Sequence, residues 1–303
     1  MFILAAEGFG LSRFARISED SAVWKIADYD SWQTVGWHFR HADWVTASSS
    51  MGIAFWDLIQ PAFMFMVGVA MPFSYARRTN FGESSRGRLF HALIRAIVLV
   101  LLGVFLYSLG QPRTNWIFPN VLAQIGLGYF FVYVLHHRPP AVQIAAIVAI
   151  LGGYWALFFF NPPAENFDYT AVSASTEKGE IFEGRMAPWS KNSNVAFRFD
   201  QWLLPKLRSP VTEESEADTD ETSQELNSGA EPQTSVTAIV KQWFFSNPDE
   251  YRYNRGGYTT LNFVPSIATA LLGVLCGQLL ISGRRPTSIV MTLLVSGGVC
   301  IAL

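Results

Sequence analysis

The chain has 303 residues, of which half are hydrophobic and only 15 % are charged. A water-soluble domain carries about a quarter charged residues, so this composition excludes an ordinary soluble fold. The net charge of −2 says little about partners, because it is segregated: eight acids between Ser209 and Thr234 (Glu213, Glu214, Glu216, Asp218, Asp220, Glu221, Glu225 and Glu231) stand without any Lys or Arg, and without them the remainder carries +6.

In chain order, the opening MFILAAEGFGL reads as a partial span over residues 1–11. It has no basic start and no clear cleavage site, which makes it a poor signal peptide. Residues 12–54 form a polar segment that contains His38 and His41. Five stretches are long and apolar enough to cross a hydrocarbon core of about 30 Å: Phe55–Ala76, Phe90–Gly110, Ile117–Leu135, Ala141–Phe160 and Phe263–Ser282. Pro61 and Pro72 in the first are tolerated in membrane helices. The apolar run over residues 288–303 stops without a polar flank and reads as a second partial span. Seven hydrophobic segments are therefore expected, and the chain reads as a fragment of a longer one.

Residues 161–258 separate the fourth full span from the fifth. Their Glu/Ser/Thr-rich stretch 209–234 has too few large apolar residues to bury a core and is expected to be disordered. It is flanked by two amphipathic pieces, VAFRFDQWLLPKL and VTAIVKQWFFSNP. Each is either a helix lying on a membrane surface or a short packed loop helix. Cys276 and Cys300 sit in apolar runs and are expected to be buried free thiols, not a disulfide or a zinc site.

Orientation follows from short basic loops. Arg77, Arg78, Arg86 and Arg88, then Arg138, then Arg284 and Arg285, fall in alternate connections, which places those connections in the cytoplasm. Residues 12–54, 111–116 and 161–258 are then extracytoplasmic. The expected fold is all-α: a polytopic transmembrane helix bundle with a long, partly disordered extracytoplasmic insert. Its partner is the lipid bilayer, in a cell membrane, and no basic-aromatic stripe points to nucleic acid.

The residues able to carry chemistry are few. An ionisable group inside hydrocarbon is costly, and Asp57 lies about one turn into the first full span, where it is either a helix-start acid favoured by the dipole or part of a site. His41 lies just outside that span. A histidine beside a carboxylate can be a base oriented by an acid, as used in acyl transfer. The His38-x-x-His41 pair could also contact a metal, but no third ligand is near in sequence. Arg95, four residues from His91, either holds a phosphate of a cytosolic cofactor or snorkels to headgroups. Asn262 and Ser266, also four apart, either line a polar cavity or make interhelical hydrogen bonds.

Three blocks resemble a known family. FWDLIQPAFMFMVGVAMPFSYA, IFPNVLAQIGLGY and GGYTTLNFVPSIATALLGVLCGQLL are similar, in that order, to signature spans of the heparan-alpha-glucosaminide N-acetyltransferase family, and closest to its bacterial members. The resemblance implies an inner-membrane acyltransferase that takes acetyl from cytosolic acetyl-CoA to an amino sugar or glycan on the far side. It makes His41, in His41-Ala42-Asp43-Trp44, the catalytic histidine and Asp57 its carboxylate, with Arg95, Gln124 and Asn262 toward the cofactor. The chain departs from the pattern in three ways. A Ser-rich piece around Ser48–Ser50 lengthens the stretch between His41 and Asp57, Gln124 stands where the family has Arg, and further spans are expected beyond Leu303. A catalytically inactive scaffold of the same fold and a transporter lined by Asp57, Arg95 and Asn262 are the competing readings, although no internal repeat of the transporter kind is visible.

Overall fold

The computed structural model describes Ile17 and residues 28–41, 54–111, 113–207, 244–245 and 251–302. The partial span at 1–11, the Ser-rich piece at 48–50, the acidic stretch 209–234 and most of VTAIVKQWFFSNP lie outside the described residues. Every regular element among those described is helical: α1 (Tyr29–His38), a 3-10 turn (Phe55–Leu58) leading into α2 (Ile59–Asn80), α3 (Ser85–Ser108), α4 (Val121–His136), α5 (Pro140–Phe159), α6 (Val195–Leu207), α7 (Phe263–Leu280) and α8 (Pro286–Ala302).

Four of these helical stretches are long and apolar enough to cross a membrane: Phe55–Asn80, Ser85–Ser108, Pro140–Phe159 and Thr260–Leu280. The expected span Ile117–Leu135 is corrected. Its helix is α4, only 16 residues long, or roughly 24 Å at 1.5 Å per residue. Pro119 cannot continue a helix upstream, and the Asn120 side chain accepts the Ala123 N–H at 2.9 Å, which starts the helix at Val121. α4 is apolar all round because it is enclosed, with Ala123, Ile125, Tyr129, Val132 and Tyr133 all buried.

The bundle is built on two close helix pairs. α2 and α7 form the most extensive contact, followed by α3 and α4. A Cβ placed on Gly68 would come within 1.9 Å of the Ala270 carbonyl oxygen, and one on Gly273 within 2.1 Å of the Phe65 carbonyl oxygen. The two backbones therefore touch where no side chain can fit, as small residues permit between membrane helices. Met64, Met71, Tyr75, Ala268, Leu271 and Val274 close over that seam.

α6 settles one of the open alternatives. It is a packed helix: Leu204 is buried against Val104, Phe118 and Ala123, and Phe197 against Val172 and Ala174, while Trp202 faces out. The expectation of two buried thiols is corrected as well. Cys276 is half-buried and Cys300 is exposed, because α8 has no buried residue and its whole outer surface is uncovered.

The chain reverses at each turn, so its connections collect at two ends. One end gathers the 3-10 turn at Phe55–Leu58, the 113–120 segment, residues 161–207 and the 251–262 segment. The other gathers the α2–α3 turn, the α4–α5 turn at His137–Pro139 and the α7–α8 turn.

Substitution of Gly273 by Ala should lower the melting temperature of the detergent-solubilised protein, since overpacking a close contact typically costs about 1–3 kcal/mol. Gly152→Ala, where a Cβ meets nothing within 4 Å, should leave the melt unchanged or slightly raise it. Equal melts for the two variants would show that the α2–α7 contact does not limit stability.

Candidate functional site

His41 and Asp57 are brought together by local structure at one end of the bundle. Asp28 caps α1 by accepting the Ser31 N–H at 3.0 Å, and the helix runs to His38, three residues short of His41. Across from it, the 3-10 turn presents Asp57. Carboxylate Oδ2 accepts the Ala54 N–H at 2.9 Å, and Oδ1 lies 2.7 Å from His41 Nδ1. Asp57 thus does both things open to it: it closes the turn at the helix start and it pairs with the histidine. Their side chains are 29 % and 55 % exposed, so the pair faces outward.

The second ring nitrogen is also engaged. The Trp56 indole Nε1–H donates to His41 Nε2 at 3.0 Å. An indole N–H can only donate, so Nε2 is the acceptor and the ring proton sits on Nδ1, facing Asp57. That is the arrangement in which a carboxylate fixes the tautomer and leaves Nε2 as the basic nitrogen. The Tyr258 hydroxyl stands 3.1 Å from Nδ1 and 3.5 Å from Nε2. The phenol therefore stands within hydrogen-bond distance of the imidazole on a third side of the ring. Burial of the phenol, and then the Asp57 carboxylate, push its pKa up, so Tyr258 remains a hydrogen-bond donor at neutral pH.

Tyr258 is held by a buried polar tie two residues downstream. Thr260 N–H donates to Asp200 Oδ2 of α6 at 2.9 Å, and the Thr260 carbonyl accepts from Gln124 Nε2 of α4 at 3.2 Å. Gln124 Nε2 also reaches the Phe118 carbonyl at 3.1 Å. Asp200, Gln124 and Thr260 are all buried.

Of the residues singled out from the sequence, His41 and Asp57 meet, and Arg95, Gln124 and Asn262 lie apart from that pair. Gln124 is a buried strut under the Tyr258 segment. Asn262 accepts the Thr259 hydroxyl at 2.8 Å, while Ser266 bonds the Asn262 backbone carbonyl at 2.9 Å, so the Asn262–Ser266 pair is a bond within one helix turn. Arg95 is ten residues into α3, deeper than expected because the helix begins at Ser85 and not at Phe90. Its guanidinium covers the Tyr129 ring at 5.0 Å, and Tyr129 in turn lies 3.4 Å, hydroxyl to hydroxyl, from Tyr75. His38 points elsewhere, packed edge-on against Trp37 and Phe55. Among the described residues no three His, Cys, Asp or Glu side chains converge to hold a metal.

Trp56, Tyr258 and Asp200 carried no assignment from the sequence. The first two lie inside the family-like blocks, and Asp200 is the one acid in the amphipathic helix VAFRFDQWLLPKL, on its buried side. No protein-family model matches the chain, and no curated protein matches it.

Asp200 makes a pH signature. Desolvation pushes its carboxyl from 3.8 to about 6, against the lowering effect of the Thr260 bonds. The folded state therefore keeps a proton that the unfolded state has already released. The Asp200 contribution to stability is greatest below about pH 4, falls as the pH rises to about 6, and is level above that. Two units correspond to about 3 kcal/mol. Asp200→Asn keeps an acceptor for the Thr260 N–H and removes the charge. Its melting temperature should exceed that of the wild type at pH 7.5, and the difference should vanish near pH 4. A difference independent of pH would show that folding leaves the Asp200 carboxyl unshifted.

Proposed function

We propose that the chain is a multi-pass membrane acyltransferase in which His41 is the general base, Asp57 its orienting carboxylate, and Tyr258 a donor to the developing charge. The observation that carries this reading is the 2.7 Å contact between His41 Nδ1 and Asp57 Oδ1, which leaves Nε2 as the basic atom on an exposed ring. The three family-like blocks add the substrate classes: acetyl-CoA as donor and an amino sugar or glycan as acceptor.

In the drawn reaction the acceptor amine displaces the Trp56 indole from Nε2. As the amine nitrogen attacks the thioester carbonyl, Nε2 takes its proton and Asp57 steadies the imidazolium. The C–N bond forms, the C–S bond breaks, and the thiolate leaves and receives that proton. The variant through an acetyl-His41 intermediate uses the same atoms, with Nε2 attacking first.

Membrane insertion is part of the proposal. Phe90, Val98, Phe105 and Val148 project large apolar side chains from the outer faces of α3 and α5, and apolar surface of this extent is covered by lipid in a spanning bundle. Arg77, Arg78, Arg86, Arg88, Arg138, Arg284 and Arg285 all belong to the end opposite His41. Positive residues in short loops mark the cytoplasmic side, which puts His41 and residues 161–258 outside. With Cys276 and Cys300 replaced by Ser, Lys178→Cys should react with a membrane-impermeant thiol reagent in intact cells, and Ser85→Cys should not. The opposite pattern reverses the orientation.

A second reading has its own support. Trp56 occupies Nε2, and Gln124, where the family has Arg, is tied between two backbone carbonyls. Those bonds suit a scaffold that keeps the fold without the chemistry. Transfer of labelled acetyl from acetyl-CoA to glucosamine, measured on the full-length protein in lipid nanodiscs, separates the two. General-base catalysis is typically worth about 10²–10⁴-fold. His41→Ala should therefore lower transfer by at least about a hundredfold, Asp57→Asn and Tyr258→Phe by less, and His38→Ala hardly at all. Absence of transfer by the wild type, or equal loss from His38→Ala, would favour the scaffold.

A further inference from the structure

At the opposite end from His41, the C-terminal end of α2 and the turn into α3 border an open cavity of about 560 Å³ lined by Phe73, Ser74, Arg77, Arg78, Phe81 and Glu83. Cavities of this size are in the range of ligand sites. The lining is chemically divided. Phe73 and Phe81 are exposed, at 45 % and 75 %, and give it an apolar wall. Ser74, Arg77 and Arg78 lie on successive turns of α2 and give it a hydroxyl and two guanidinium groups.

The two arginines are not equivalent. Arg78 donates to Glu83 Oε1 at 2.8 Å, and Arg88 holds the Glu83 backbone carbonyl, so the carboxylate is pinned on one side of the cavity. The Arg77 guanidinium instead lies over the Phe81 ring, 5.6 Å from its centre, with no carboxylate among the described residues forming an ion pair with it. A guanidinium's planar N–H fork matches a phosphate, and the exposed Arg77 carries one without a carboxylate ion-pair partner among the described residues. With two guanidinium groups and one carboxylate, the lining carries a net single positive charge. That complements a phosphodiester monoanion better than a multiply charged phosphate.

We propose that this cavity binds a phosphodiester-bearing ligand, with the phosphate on Arg77 and Ser74 and the apolar portion of the ligand along Phe73 and Phe81. The proposal stands independently of acyl transfer. A membrane phospholipid presents this chemistry, a singly charged phosphodiester joined to apolar chains.

Retention of phosphatidylglycerol by the full-length protein in detergent is read by native mass spectrometry, and the wild type should retain it. Arg77→Ala should weaken that binding about tenfold or more, since a hydrogen-bonded charged contact is lost. Arg77→Lys should lie between, because the fork is lost and the charge kept. Glu83→Gln should strengthen it by releasing Arg78. Arg185→Ala, an exposed arginine at the other end of the bundle, should change nothing. Failure of phosphatidylglycerol to bind, or binding that Arg77→Ala and Glu83→Gln leave unchanged, would overturn the site.

Discussion

The contact between α2 and α7 governs the geometry of everything at the His41 end. Gly68, Gly273 and Gly277 let the two backbones meet closer than a single Cβ would allow, and the helices begin at neighbouring points as a result. Asp57 and Trp56 sit at the start of one, and Tyr258 lies just before the start of the other. A shift of an ångström along that seam would separate the phenol from the imidazole. The glycines are far from any reacting atom, yet they set the distance on which the candidate site depends.

A second constraint acts from the connections at the same end. α6 buries Asp200 directly beneath the 251–262 segment, and α4 supplies Gln124 from below. Between them they hold the N–H and the carbonyl of Thr260. A buried backbone group needs such a partner, and here the partners come from elements distant in the chain. The segment carrying Tyr258 is therefore located by hydrogen bonds to its backbone, with its side chain left to face His41. The raised pKa of Asp200 is the electrostatic consequence of placing an acid in that position.

The two ends of the bundle differ in their chemistry. Carboxylate, imidazole, indole and phenol converge at one, in a partly open cluster suited to moving a proton. The other is cationic and carries an arginine-lined cavity. Between them lies the Tyr75, Tyr129, Tyr133 and Arg95 group, in which the Tyr75 and Tyr133 rings pack at a tilt, the Tyr75 and Tyr129 hydroxyls stand 3.4 Å apart and Arg95 lies over Tyr129. An arginine laid over a buried tyrosine keeps its charge against a ring face.

Apolar run length and the scarcity of charge determined the all-helical architecture, because a helix satisfies its backbone internally and its length follows from the run. They also determined which connections are basic. His41 and Asp57 were legible as a pair through their neighbouring sequence blocks, though their contact was not. The tertiary structure decided the rest. Run length could not show that α4 starts only at Val121, since Ile117 and Phe118 are as apolar as the residues beyond the Asn120 cap. Tyr258 lies 217 residues from His41, and Asp200 lies 60 from Thr260. No local pattern of hydrophobicity or spacing encodes which distant groups meet, since that depends on the packing of the helices that carry them.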